Sequence, residues 1–327
     1  MDHVLLTGSG GFVGAALLRA LEAIHAQTTC VVRSGPGRPE MQRRYLVVAD
    51  DFADIDAVWP NSLRPDCVIH LAARVHVMRD RAPDPLAAFR ATNVEGTLRV
   101  ARAAARAGVR RFVYVSSIKA VAETDPGRPL RESDTPAPVD PYGISKREAE
   151  QALVELCRDH GMEWTVVRPP LVYGPEVGAN FRSLLGAVAR GVPLPLACAN
   201  APRSLVAVDN LADALLACAR HPAAAGKIFH VCDGEDVTVA KLARLMGDAL
   251  GRPARLLPVP LTLLKLAGAL TGRRDAVARL VEPLRVDSAR IVGELGWRPP
   301  LTLREALKQT ADWYRQQTTG EIAHAVR

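Results

Sequence analysis

The stretch Thr7-Gly8-Ser9-Gly10-Gly11-Phe12-Val13-Gly14 lies between an apolar run at 4–7 and a helix-period pattern over 11–24. A glycine-rich turn joining a buried strand to a helix constrains this chain more than any other feature. Its glycines let the backbone approach a bound group, and the following helix N-terminus offers N–H groups and positive potential. The turn alone is weak evidence, since a tight turn needs no ligand; its context strengthens it. Further apolar runs at 28–32, 45–48, 67–71, 111–115 and 164–167 alternate with helical patterns, including one long Ala-rich helix over 85–108 and another over 142–160. That alternation predicts an α/β class, a doubly wound parallel-sheet Rossmann fold with both sheet faces covered.

Beyond Pro169-Pro170 the pattern loosens. Residues 174–204 are rich in Gly and Pro, and helical patterns resume at 209–220, 238–250, 261–270 and 302–317. The reading is a dinucleotide-binding domain over 1–173, to which segments near 205–232 return, and a smaller C-terminal α/β substrate lobe over 174–327. The apolar segment 256–270 contains Pro258, Pro260 and Lys265. It reads as a short strand end and then an amphipathic helix packed into the body, with a surface-lying membrane helix as the second reading.

Composition enters mainly through what it excludes. With 327 residues and 48% hydrophobic content, the chain can bury a core without cross-links and is not disordered. No run is long and apolar enough to cross a membrane, and no charged start precedes a long apolar stretch, so neither membrane insertion nor a signal peptide is expected. The six cysteines are widely spaced and form no CxxC pair, which fits reduced thiols and a cytoplasmic setting and argues against a cysteine-held metal. No metal site is expected from the histidines either. The net charge is +7, and 36 of the 42 basic residues are Arg. Arg suits phosphate groups, but these residues are dispersed, and no basic stripe interleaved with aromatics indicates nucleic acid.

The glycine turn predicts a dinucleotide site built on Gly8, Gly10, Gly11, Phe12, Val13 and Gly14. An acid ending the second strand would bind the ribose 2′-hydroxyl of NAD. Here that strand ends Val31-Val32-Arg33-Ser34. Arg33, with Ser34 beside it, is placed to pair with a 2′-phosphate, so NADP(H) is favoured and NAD(H) remains possible. Asp50 or Asp51, after the third strand, is the adenine ligand; the residues leave both open.

Tyr142-Gly143-Ile144-Ser145-Lys146 opens a helix with Tyr and Lys on one face. A free phenol has a pKa of about 10, and a nearby ammonium lowers it and makes a usable proton relay. Ser116-Ser117 ends the fifth strand, where a hydroxyl can bond a reacting oxygen beside the Tyr.

TGxxGFxG at 7–14, His70-Leu71-Ala72-Ala73, Asn93-Val94-Glu95-Gly96-Thr97, Val115-Ser116-Ser117, YxxxK and Arg168-Pro169-Pro170-Leu171-Val172-Tyr173-Gly174-Pro175 follow in order. Together they resemble the extended short-chain dehydrogenase/reductase superfamily, in its NAD-dependent epimerase/dehydratase group acting on nucleotide sugars. The resemblance covers nearly the whole chain. It implies that Tyr142 is the acid/base, that Lys146 holds the nicotinamide ribose and tunes Tyr142, and that Ser117 binds the reacting oxygen. Leu71, Ala72, Ala73, Asn93, Val115, Pro169 and Leu171 would form or organise the cofactor cleft. Asn180, Arg203 and Arg279 resemble ligands of a nucleotide-sugar diphosphate lobe, and His76 a substrate contact. The resemblance also implies a homodimer formed through helices 85–108 and 141–160.

Sugar 4,6-dehydratases of this group carry Asp-Glu directly after the strand-5 hydroxyl. Here Ile118-Lys119 stands there, which removes the proton-transfer acids. Lys119 is a candidate sugar contact or a solvent-facing side chain. Two activities remain: an NADPH-dependent 4-ketoreductase of a UDP-4-keto-6-deoxy-N-acetylhexosamine, similar to a bacterial surface-polysaccharide (O-antigen) branch, and an NAD-dependent UDP-sugar 4-epimerase. Arg33 favours the reductase. A non-catalytic NADP-binding sensor is the third reading, weakened because Tyr142 and Lys146 are both present.

Overall fold

The computed structural model describes residues 1–33, 43–75, 83–271 and 274–325. In chain order the elements are β1 His3–Thr7, α1 Phe12–Ala23, β2 Gln27–Val32, β3 Arg43–Val47, α2 Ile55–Val58, β4 Cys67–His70, α3 Pro85–Arg90, α4 Thr97–Arg106, β5 Arg111–Val115, α5 Pro141–Asp159, β6 Glu163–Arg168, β7 Leu171–Tyr173 and α6 Ala179–Arg190. There follow β8 Pro202–Arg203, β9 Leu205–Ala207, α7 Val208–Arg220, β10 Lys227–His230, β11 Val237–Thr238, α8 Val239–Leu250, α9 Leu261–Leu270, α10 Arg274–Val281, α11 Ala289–Leu295 and α12 Leu303–Ala325.

Seven strands form one sheet in the order β10-β6-β5-β4-β1-β2-β3, and every neighbouring pair is parallel. This is the doubly wound Rossmann arrangement, with its switch point between β1 and β4. Successive strand residues point to opposite faces, so the apolar runs fill two cores. Val4, Leu6, Ile69 and Val113 pack with Leu17, Leu211 and Leu215 on one face. Leu5, Val68 and Phe112 pack with Val100, Ala149 and Leu153 on the other. A third core gathers Tyr173, Phe181, Leu185, Met246 and Leu307 around the β7–β9 pair.

Three expectations change. The predicted 85–108 helix is interrupted by a π-helical turn over Ala91–Gly96. The extra residue in that turn lets Asn93 face inward, and Gly96 sits where a Cβ would come 3.2 Å from the Phe52 ring. Residues 174–204 hold a 12-residue helix, α6, closed by Gly191 at φ 68°. Finally, α9 is not a buried packing helix: of its ten residues only Gly268 is buried.

Candidate active site

The glycine turn serves two purposes. Gly8, at φ 72°, would place a Cβ 2.8 Å from the Ala72 amide nitrogen, and Gly14 would place one 2.2 Å from the Gly8 carbonyl oxygen. The folded chain itself requires both. Gly10 is different: no protein atom lies within 4 Å of its would-be Cβ. That opening, and an α1 N-terminus at Gly11 that no side chain caps, make a cradle for an anion. A dinucleotide diphosphate fits it. Phe12 and Val13 begin the helix, half-buried at its first turn.

Arg33, the residue after β2, is an exposed side chain 3.6 Å from the Asp50 carboxylate. Asp51 has a separate engagement, since its Oδ1 accepts a 2.6 Å hydrogen bond from Thr92 Oγ1. The structure therefore distinguishes the two acids by surroundings: Asp50 faces Arg33, and Asp51 is tied to the π turn. Ser34 and His76 lie outside the described residues, as does the side chain of Arg279 on α10.

A buried polar chain runs under this cleft. His70 Nδ1 and Thr7 Oγ1 are 2.9 Å apart, His70 Nε2 and Thr97 Oγ1 3.1 Å, and Thr97 Oγ1 donates to Asn93 O at 2.7 Å. The Ala72 amide donates to Thr7 Oγ1 at 3.2 Å, which fixes the Leu71-Ala72-Ala73 loop against the glycine turn. Asn93 is wholly buried. It accepts from the Arg74 amide at 2.8 Å and donates to Arg74 O at 3.1 Å and to Ser145 Oγ at 2.9 Å. Ser145 Oγ in turn donates to Tyr142 O at 2.8 Å. Asn93 thus acts on the cleft by positioning its backbone. Thr7, Thr97 and Ser145 stand inside the quoted motifs, but the network they form joins elements distant in sequence and has no local signal. Burial, with the nearby Lys146 charge second, lowers the His70 pKa to about 3, so the ring is neutral.

The end of β5 and the start of α5 bring Ser117, Tyr142 and Lys146 together. Ser117 stands beside Tyr142, and its hydroxyl favours the phenolate. Asp140 caps α5 by accepting from the Gly143 amide at 2.6 Å. Lys146 Nζ donates to Val115 O at 2.7 Å and lies 4.3 Å from the Tyr114 ring centre. The expectation that Lys146 lowers the Tyr142 pKa is not what this arrangement produces. Burial pushes Tyr142 up to about 12, with the Ser117 hydroxyl opposing and Asp140 adding to the rise. Lys146 is aimed at Val115 O, and burial lowers its own pKa to about 7 against the pull of Glu150.

Glu150, one turn beyond Lys146, and Arg168 at the end of β6 form a pair that the sequence reading missed. Arg168 Nε and Nη2 donate to the two Glu150 oxygens at 2.9 and 2.6 Å, and both side chains are 1% exposed. The Pro169 carbonyl accepts from the Ile118 amide at 2.9 Å, which holds the 169–171 segment beside Ser117. Leu171, in the same segment, is 53% exposed.

In the second lobe, Asn180 is exposed in the first turn of α6, and its neighbour Phe181 stacks on Tyr173 at 5.4 Å. Arg203 on β8 donates through Nη1 to Glu282 O at 2.8 Å. Lys119 is no free sugar contact: its Nζ lies 2.5 Å from Asp140 and 3.0 Å from Glu123.

A family model described as NAD dependent epimerase/dehydratase family matches residues 4–232. A UDP-glucose 4-epimerase of Vibrio cholerae is 42% identical over 96% of this chain and 95% of its own length. A GDP-6-deoxy-D-mannose reductase of Pseudomonas aeruginosa is 27% identical over 95% of this chain and 97% of its own. Among solved structures, UDP-glucose 4-epimerase of Thermotoga maritima with UDP-glucose superposes with a TM-score of 0.79 at 24% identity, covering 97% of this chain and 99% of that one.

Proposed function

We propose that this chain, which belongs to the NAD dependent epimerase/dehydratase family, is an NADPH-dependent 4-ketoreductase of a UDP-4-keto-6-deoxy-N-acetylhexosamine. At the coarser level it is a nicotinamide-dependent enzyme with nucleotide-sugar epimerase/reductase-type activity. The observation that carries the finer reading is Arg33. It follows β2 as a cation where an NAD enzyme would present a carboxylate, and its guanidinium is exposed to the solvent in which a 2′-phosphate would sit.

Gly10 and the α1 N-terminus would hold the diphosphate, Lys146 the nicotinamide ribose. The bound nicotinamide supplies the hydride. Ser117 and Tyr142, neighbours at the ends of β5 and α5, would take the C4 oxygen of the sugar between them, and Tyr142 would deliver its proton to that oxygen as charge develops on it. A phenol held at about 12 is protonated throughout the neutral range, which suits a proton donor better than a resting base. Arg203, Asn180 and Arg279 are proposed as ligands of the UDP group. The setting proposed is cytoplasmic synthesis of a surface-polysaccharide precursor by a homodimer formed through α3, α4 and α5.

Two observations favour the second reading, an NAD-dependent UDP-sugar 4-epimerase: the name of the 42% identical relative, and Asp50 beside Arg33, an acid near the ribose side that can offset the Arg charge. One paired incubation separates the readings. The enzyme is given UDP-4-keto-6-deoxy-GlcNAc with NADPH, and separately UDP-GlcNAc with NAD. The expected result is loss of NADPH absorbance in the first alone. Interconversion of UDP-GlcNAc and UDP-GalNAc without added reductant establishes the epimerase instead.

A further inference from the structure

The helix α9 is out of keeping with the rest of the fold. Its sequence, LTLLKLAGAL, is apolar almost throughout, yet Leu263, Leu266 and Leu270 are 55%, 56% and 79% exposed. Spaced at i, i+3 and i+7, they form one ridge along the helix. Single exposed leucines need no explanation, but an aligned set presented to water does. Leu257, just before the helix, is 48% exposed as well.

The charge of the surrounding sequence indicates the partner. Residues 249–274 contain Arg252, Arg255, Lys265, Arg273 and Arg274 and no Asp or Glu. The chain has other acid-free basic stretches, such as 96–122, but this one brackets a row of exposed leucines. That combination is the physical signature of a helix lying in the headgroup region of an anionic bilayer, leucines down and cations among the phosphates. At ten residues α9 is about 15 Å long, and among the described residues no helix is long and apolar enough to cross a membrane. A second copy of the chain is the poorer occupant: a two-fold contact would set this basic stretch against itself.

We propose that the α9 ridge docks this protein peripherally on an anionic membrane surface. The α9–α10 hairpin leads directly into residue 282, whose carbonyl accepts from Arg203, and into Leu284, which bridges to the Arg203 backbone. Docking would therefore set the second lobe, with Arg203, close to the bilayer. The proposal stands whichever reaction the enzyme catalyses.

The test is flotation of the purified full chain with vesicles of phosphatidylcholine alone or mixed with phosphatidylglycerol. At low salt, at least about ten-fold more protein should float with the anionic vesicles than with the neutral ones, and raising the salt should release it. The triple variant L263Q/L266Q/L270Q should stay in solution while keeping its thermal midpoint and its turnover. Should that variant misfold, Lys265→Glu provides a milder arm, with a several-fold loss of flotation expected. Absence of flotation with anionic vesicles, or equal flotation by the triple variant, overturns the proposal. So does a wild-type dimer that the triple variant converts to monomer without any vesicle binding, since the ridge is then a self-association surface.

Discussion

Arg168 and Glu150 face one another across the interior as a closed two-bond pair, from the end of β6 to the third turn of α5. Arg147 reaches the same carboxylate at 3.1 Å, and Arg168 and its neighbours hold its pKa below the usual range despite burial. The pair ties the helix carrying Tyr142 and Lys146 to the strand that ends in Pro169. Removing one partner leaves a charge buried alone. Glu150→Gln should therefore lose about 3–5 kcal/mol of stability, measured by urea denaturation. The double variant E150L/R168M should recover a large part of it. A Glu150→Gln loss below about 1 kcal/mol would mean that water reaches the pair.

The entrance to α5 leads to a second prediction. A Cβ on Gly143 would sit 2.4 Å from the Lys119 carbonyl oxygen, and the Lys119 ammonium is itself bonded to Asp140, the cap of the same helix. In an open helix, Ala for Gly would stabilise by about 1 kcal/mol. Here the new methyl must push the first turn, and Tyr142 with it, away from Ser117. Gly143→Ala should lower kcat by about 10- to 100-fold with a much smaller change in substrate KM. Unchanged kcat would show that the turn can shift without moving the phenol.

Cofactor choice can be tested at Arg33. At 3.6 Å, with both partners largely exposed, its contact with Asp50 is a weak surface pair, readily exchanged for a phosphate. Arg33→Ala should raise the KM for NADPH by about 10- to 100-fold and leave that for NADH nearly unchanged. Equal KM values for NADPH in the two proteins would assign Arg33 to Asp50 alone and favour the epimerase reading.

The strands and the catalytic motif were legible because each is local. A run such as Cys67-Val68-Ile69-His70 has nowhere to go but a sheet buried on both faces, and YxxxK carries its own helical spacing. Where the outcome depended on partners distant in sequence, local pattern gave no signal. Glu150 and Arg168 are 18 residues apart on different elements, and each resembles any charged residue until the fold joins them. The π turn adds one residue to a helix without disturbing its composition. For α6 the punctuation misled: Gly178 and Gly191 read as loop formers, whereas they are the two caps of the helix. The exposure of α9 is a property of what packs beside it, and an apolar sequence by itself argues the opposite.

His70 gives a pH prediction whose sign follows from its surroundings. Its ring is enclosed by Thr7 and Thr97 and near Phe52, Phe112 and Tyr114. Burial first, then the Lys146 charge, lowers its pKa from 6.5 to about 3. Above pH 6.5 the ring is neutral whether the chain is folded or not, so it contributes no pH dependence there. As the pH falls from 6.5 towards 3, the unfolded chain takes up a proton that the fold refuses, and stability declines by up to about 1.4 kcal/mol per pH unit. His230, lowered to about 4 by burial, adds a second slope of the same sign that ends earlier. The carboxylates also titrate on this limb, so the informative quantity is a difference between proteins. His70→Asn should be less stable than wild type at pH 7, because the ring's contacts are lost. Its further loss between pH 7 and pH 5, read from urea midpoints, should be smaller than that of the wild type. Parallel pH curves for the two proteins would mean that His70 is protonated in the fold, and the neutral bridge between the glycine turn and the Asn93 segment would have to be abandoned.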